Sequence, residues 1–195
     1  MKRIAMAALL SACVATPALA DNSGKFYIAS DLGQASFSNV TVPAAGGIPA
    51  ATFANPGMVD IAGGYHFSDM LAVEVGYSKF GDSTLSYGGI GSVTLGTNSL
   101  HVAAVGAYPL TAQFDLIGKL GLSANRETLT GFANQSQSKT DLLLGIGAQY
   151  HINSKFAVRA QYENFGKFSG SPNPADGSSS PVKVSAISVG FTYDF

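Results

Sequence analysis

Glu74, Lys119, Arg159 and Glu163 each stand among apolar neighbours at alternating positions, and isolated acids and bases so placed have two uses. They can neutralise one another in a confined polar core, where an unpaired charge would be expensive, or line a narrow route for ions and small solutes. Asp31 is grouped with them, and the structural network is the favoured reading of the set. His66, His101 and His151 read as interior or interfacial hydrogen-bonding groups. Catalysis would need a nucleophile with its base, or a metal set. The sequence has no HExxH, no GxSxG and no GxxxxGK[ST], and GGIG at 88–91 lacks the Lys-Ser/Thr that would hold phosphates. No catalytic, cofactor-binding or metal-binding residue is expected.

Composition narrows the classes further. Of 195 residues 46% are hydrophobic and only 12% charged, which is too few charges to coat an ordinary soluble surface. Lys and Arg number 11 against 12 Asp and Glu, a formal charge of −1, so neither a basic nucleic-acid binder nor an acidic disordered chain fits. One Cys, at position 13, excludes a disulfide scaffold or a multi-Cys metal site.

Residues 1–20 read as an export signal. Lys2 and Arg3 form the positive head, Ile4 to Val14 is almost wholly apolar, and Pro17-Ala18-Leu19-Ala20 supplies small residues for cleavage. The expected division is therefore a leader at 1–20 and one domain at 21–195. Leu10-Ser11-Ala12-Cys13 has the form of a lipobox, but only Ile4 to Leu9 precede it, shorter than the roughly 7–15 apolar residues a leader uses. After residue 20 no run of 18 apolar residues occurs, so any membrane crossing must be made by strands.

The elements that must position the charged set follow from period-two alternation. Strands are predicted at about 25–33, 58–67, 70–80, 94–108, 113–125, 140–152, 155–166 and 182–195. Four connections read as long: 34–57, 81–93, 126–139 and 167–181. Those at Ser68-Asp69, around Pro109 and at Asn153-Ser154 are tight, and all lie at one end with both termini. An even strand count with short turns on one side and long connections on the other is the pattern of an outer-membrane barrel. Asp82, Arg126, Glu127, Lys139 and Asp176 are the charges on the long connections and their margins, too few for a highly charged partner.

Alternation gives each strand two faces. Ile187, Val189, Phe191, Tyr193 and Phe195 oppose Ser188, Thr192 and Asp194; Phe114, Leu116, Leu120 and Leu122 oppose Asp115, Lys119 and Ser123. A Lys or Arg facing hydrocarbon at mid-depth costs roughly 2–4 kcal/mol, so the charged face must turn inward, and unpaired backbone groups require the sheet to close. Tyr65, Phe67, Tyr108, Tyr150, Phe156, Tyr193 and Phe195 gather near the tight-turn end as one lipid-facing aromatic belt. A soluble lipocalin-like barrel with its apolar face inward has the same period; loop asymmetry, the belt and the low charge favour the membrane.

The segments GGYHFSDMLAVEVGY (63–77), AYPLTAQFDLIGKLGLSANRET (107–128), LGIGAQYHINSKFAVRAQYENFG (144–166) and ISVGFTYDF (187–195) resemble the OmpA-like transmembrane barrels, the superfamily that includes the OmpX and opacity-type proteins. The resemblance implies an all-β, eight-stranded antiparallel up-and-down barrel in the bacterial outer membrane. It implies a structural or surface-interaction role in envelope integrity, with possible adhesion through four outer loops. A low-conductance channel is the alternative; a lipid-modifying enzyme would need a Ser/His/acid group at the bilayer edge, and none is found. Implied partners are outer-membrane lipids and lipopolysaccharide, the assembly machinery acting through the terminal Phe195, and host or surface ligands at the loops. A monomer is expected. The sequence ends at the last strand, so the expectation is a barrel without the peptidoglycan-binding domain of full-length OmpA-type proteins. Asp31 stands where the family often has a base and Gln149 where it often has an acid, so the family's gate-like pairing is not carried over.

Overall fold

The computed structural model describes residues 23–38, 41–42, 51–52, 55–87, 91–130, 135–168 and 182–195. Residues 1–20, expected to be a leader, with Cys13 among them, and Asp176 lie outside these residues. Ten strands are present among them: β1 (Phe26–Ser38), β2 (Thr41–Val42), β3 (Ala51–Thr52), β4 (Gly57–Ser68), β5 (Leu71–Tyr87), β6 (Gly91–Pro109), β7 (Phe114–Thr130), β8 (Gln135–His151), β9 (Phe156–Phe168) and β10 (Val182–Asp194). β2 and β3 pair only with each other. The other eight form a closed antiparallel barrel in sequence order, with β1 hydrogen-bonded to both β4 and β10. Closure leaves no sheet edge, which is the condition for strands to stand in hydrocarbon.

The sequence dictates which side faces out. Exposed and buried residues alternate along β9, with Phe156, Val158 and Tyr162 outside and Arg159, Gln161 and Glu163 inside. The same inversion runs around the barrel: Leu120 is 57% exposed while Lys119 is 5% exposed. Large apolar residues therefore cover the outside and carboxylates occupy the interior, the reverse of a water-soluble protein.

At one end the turns are closed by local bonds. The amides of Leu110 and Thr111 donate to the Phe114 carbonyl at 2.8 and 3.1 Å, and Asn153 Oδ1 accepts from the amides of Lys155 and Phe156 at 2.8 and 2.9 Å. This is an Asx turn, in which a short polar side chain replaces a backbone partner. Gly24, at φ 79°, turns the entering chain so that its amide reaches the His66 carbonyl at 2.8 Å.

At the other end the expected strand limits are corrected. Segments 81–93 and 126–139 read as loops, yet the ladders continue to Tyr87↔Gly91 and to Leu129↔Gln135. Ser and Thr there alternate with Leu and Val, and such a ribbon pairs well in water once its hairpin has begun. Seventeen residues at about 3.3 Å each, tilted, rise roughly 40 Å, well beyond a hydrophobic band about 25 Å tall. The asymmetry thus comes from tall hairpins as much as from loops.

The interior, expected from the inward-turned charged face to be polar, also holds an apolar layer. Phe80, Phe165 and Phe168 are fully buried inside the barrel with Met58, Leu143 and Val184, on the long-hairpin side of the charges. Phe80 meets Phe165 and Phe168 edge-on, with centroids 5.4 and 6.1 Å apart. The left-handed Gly166, at φ 79°, and the register shift between Lys183 and Ser185 accompany this aromatic layer.

Two substitutions separate the faces. Leu120→Arg should lower folding stability in lipid vesicles by roughly 2–4 kcal/mol, and Phe165→Ala by about 3–5 kcal/mol, in urea titrations. An unchanged midpoint for Leu120→Arg would contradict the outward placement.

Candidate functional site

The charged side chains of the lumen come from alternate strands, and the strand between contributes a glycine. Tyr27 of β1 and Glu74 of β5 flank Gly64 of β4 in register. Lys119 of β7 and Glu163 of β9 flank Gly145 of β8. Arg159 of β9 and Asp31 of β1 flank Gly190 of β10. A side chain on the middle strand would fill the space each pair uses. A Cβ at Gly64 would run into the Tyr27 ring, and one at Gly190 would meet the Ser30 carbonyl oxygen and Asp31 Oδ1.

Across these gaps the groups form one network. Arg159 Nε donates to Asp31 Oδ1 and Oδ2 at 2.9 and 3.2 Å, and its Nη2 to Oδ2 at 2.5 Å. Its Nη1 donates to Glu74 Oε2 at 2.7 Å. Lys119 Nζ donates to Glu74 Oε1 at 2.6 Å and to Glu163 Oε1 at 3.1 Å. Tyr27 Oη adds a bond to Glu74 Oε2, and Gln161 Nε2 one to Glu163 Oε2, both 3.1 Å. All five charges singled out in the sequence thus meet in one place and are buried. Glu74 is the hub: three donors converge on its two oxygens, so a low-dielectric site holds it as a satisfied carboxylate.

Sequence reasoning missed a cluster on the long-hairpin side of this network. Ser78 Oγ donates to Asp60 Oδ2 at 2.5 Å and lies 3.5 Å from His101 Nδ1, which is 3.9 Å from Asp60 Oδ2. The residue types are those of a hydrolase, but the arrangement is not. A nucleophilic serine gives its proton to the histidine, with the acid behind the ring. Here the serine is bonded to the acid, all three are buried, and His101 packs 6.0 Å from Phe165. Strand alternation is a signal that could have marked Asp60, Ser78 and His101 as inward; only the register brings them together.

On the tight-turn side of the network the lumen opens into a chamber of about 230 Å³ with Arg159 and Tyr27 in its wall. Two histidine–aspartate pairs stand there: His66 Nε2 to Asp194 Oδ1 at 3.1 Å, and His151 Nε2 to Asp115 Oδ2 at 2.7 Å. Gln149 lines the same chamber and sits opposite both Asp115 and Arg159 in register, apart from the network's bonds. Among the described residues the buried carboxylates are Asp31, Asp60, Glu74, Asp115, Glu127, Glu163 and Asp194, against Lys119 and Arg159 as the buried Lys and Arg, with His101 buried as well. Glu127, read from the sequence as a loop-margin charge, faces inward.

The aromatic set lies on the outside at the tight-turn end. Phe67, Tyr108, Tyr150, Phe156 and Phe195 are exposed, and Tyr65 and Tyr193 are half-buried between neighbouring rings. Tyr65 packs between Phe67 and Phe26, at 5.2 and 4.9 Å, and Tyr193 between Phe156 and Phe195, at 4.8 and 5.3 Å. Phe26, absent from the expected set, shares the outward parity of Ile28 and could have been found from it. The Phe195 amide donates to the Phe26 carbonyl at 3.1 Å, joining the last residue to the first strand.

Residues 5–195 match the family described as the outer membrane protein β-barrel domain. Outer membrane protein P5 of Haemophilus influenzae is 26% identical over 98% of this chain and 59% of its own length. The chain thus spans 59% of the curated relatives it matches. Neisserial surface protein A superposes with a TM-score of 0.62 at 18% identity, covering 87% of this chain and 97% of that one. The attachment invasion locus protein Ail of Yersinia pestis, solved with the heparin analogue sucrose octasulfate, gives 0.59 at 19% identity over 89% and 99%. These two likenesses are of fold.

Removing the hub should be costly. Glu74→Ala, which leaves Lys119 and Arg159 short of a counter-charge, is expected to lose about 3–5 kcal/mol in urea unfolding from vesicles. Gly190→Val should abolish the compact, heat-modifiable form on gels. Wild-type behaviour of both would contradict the network's structural weight.

Proposed function

The chain belongs to the outer membrane protein β-barrel domain family of the bacterial outer membrane, and from that premise we propose that it acts by mechanical and interfacial means, without catalysis. The barrel supports envelope integrity as a monomer and presents its tall hairpins and the loops between them to the exterior for surface interaction, adhesion included. The observation that carries this reading is the filled lumen: ion pairs from β1, β5, β7 and β9 cross it, and the phenylalanine layer lies over them. Eight strands leave an interior just wide enough for side chains. A structural plug, rather than the low-conductance path considered as the alternative, is the role that arrangement suits.

Lipid and lipopolysaccharide are the proposed permanent partners, and the outer surface gives the reason. Lys79, Asn98, Arg126 and Ser138 form one outward rung, directly above the rung of Tyr77, Leu100 and Ala124. Lys167 and Lys183 are exposed and directly opposite each other on β9 and β10. Like charges so paired repel unless an anion lies between them, and phosphates at the outer-leaflet interface supply one. The aromatic belt, with Tyr65, Phe67, Tyr108, Tyr150, Phe156, Tyr193 and Phe195, would ride at the opposite interface. Phe195 is proposed as the contact read by the assembly machinery.

Planar-bilayer recordings of the refolded chain should give no conductance steps, and steps abolished by an Arg159 substitution would favour the channel instead. Protease added to intact cells should cut within 169–181, while labelling at Ser68-Asp69 would reverse the orientation. Lys167→Glu with Lys183→Glu should reduce lipopolysaccharide co-purification; undiminished lipopolysaccharide would remove the proposed phosphate contact.

A further inference from the structure

The outer wall of the barrel is notched where β4 and β5 end their shared ladder at Met58↔Phe80. The notch has a volume of about 520 Å³ and is lined by Gly57, Val59 and Ile61 of β4 and by Tyr77, Lys79 and Gly81 of β5. Small-molecule sites run to roughly 300–1,000 Å³, so this space is large enough to seat part of a ligand. Two glycines create it. Gly57 and Gly81 bring no side chains to its upper end, and a Cβ at Gly57 would meet nothing nearer than the Gly33 carbonyl oxygen at 3.9 Å. Below them Val59, Ile61 and Tyr77 are all exposed, which makes the walls apolar.

Charge and depth say what covers this notch. Lys79 is the one charged residue in its lining, and it makes no ion pair among the described residues. Asn98, its outward partner in register on β6, puts an amide beside it. Asp82, one residue beyond Gly81, stands away toward β6, where its Oδ1 would lie 3.3 Å from a Cβ at Gly96. From Leu71 to Lys79 the tilted strand climbs roughly 20 Å, which sets Lys79 near the top of a hydrophobic band about 25 Å tall. An ammonium at that level is next to lipid phosphates and attracts them, while the apolar walls below it stand among acyl chains. A chain lying in the notch touches protein on both sides and the floor, whereas one on the flat wall touches it on one side only.

We propose that the β4–β5 notch is a binding site for one phosphorylated, acylated lipid of the leaflet at the long-hairpin end. One acyl chain lies between Val59, Ile61 and Tyr77, and the phosphate rests on Lys79. The site rests on the proposal that outer-membrane lipid is a permanent partner, and it adds that one lipid is held in a fixed place rather than exchanged with its neighbours. Loss of the site in a chain that still inserts into vesicles would reject the seated lipid alone. A chain that stayed monodisperse without detergent would reject the lipid-facing wall as well.

The test is an amide-shift titration of the full chain refolded in octyl glucoside micelles, with dioleoyl phosphatidic acid, dioleoylglycerol and inorganic phosphate as probes. Phosphatidic acid should give saturable shifts at Ile61, Tyr77 and Lys79 and none at Leu120 and Leu122 on another part of the wall. Dioleoylglycerol should bind more weakly, and inorganic phosphate should leave all of these unchanged. Gly57→Leu, which fills the notch, should abolish the saturable shifts, and Lys79→Gln should weaken phosphatidic acid about tenfold. Equal binding of dioleoylglycerol, matching shifts at Leu120 and Leu122, a full response to inorganic phosphate alone, or undiminished binding in either variant would overturn the proposal. Should Gly57→Leu fail to give the heat-modifiable form, Lys79→Gln and the ranking of the three probes decide.

Discussion

A backbone amide or carbonyl in hydrocarbon has no water to bond, and a charge there has no counter-ion unless the protein brings one. Nearly every feature of this molecule answers that constraint. The first half of it forces the sheet to close, so that β1 bonds to β4 on one side and β10 on the other. The second half sorts the side chains: Leu120 outward and Lys119 inward are consecutive residues, and the pleat separates them by direction alone.

Sorting charges inward creates a second demand, since the lumen is itself a poor solvent. Arginine, lysine and glutamate must find partners across a space bounded by other strands. The solution here is a glycine on the strand between: Gly64, Gly145 and Gly190 leave the room through which Tyr27–Glu74, Lys119–Glu163 and Asp31–Arg159 meet. Conformational freedom is not what these glycines supply; their missing side chains are. The network therefore fastens β1, β5, β7 and β9 through the interior while the ladders fasten neighbours around the wall.

Period two made the strand centres, their faces and the five lumen charges legible in the sequence. Pairing was not legible, because Asp31 and Arg159 lie 128 residues apart and only barrel closure makes them neighbours. The strand tops were hidden by Ser, Thr and Gly residues that suit loops and extended hairpins alike. The phenylalanine layer was half-visible: Phe80 continues the inward parity of Glu74 and Ser78. Phe168 does not continue the parity of Glu163 and Phe165, because the chain passes through the left-handed Gly166 between them. The Ser78–Asp60–His101 cluster carried no motif, since its members come from three strands.

The central claim is that hydrocarbon surrounds the greasy face and that the axis is filled with paired charges. Spin labels placed singly along β7 in vesicles test it most directly, through collision with dissolved oxygen and with a water-soluble nickel chelate. At Leu116, Leu120 and Leu122 oxygen should reach the label and the chelate should not, while Ile117 and Ser123 should be shielded from both. A barrel whose Leu120 and Leu122 labels met the chelate freely, and which stayed monodisperse in buffer without lipid or detergent, would contradict the account.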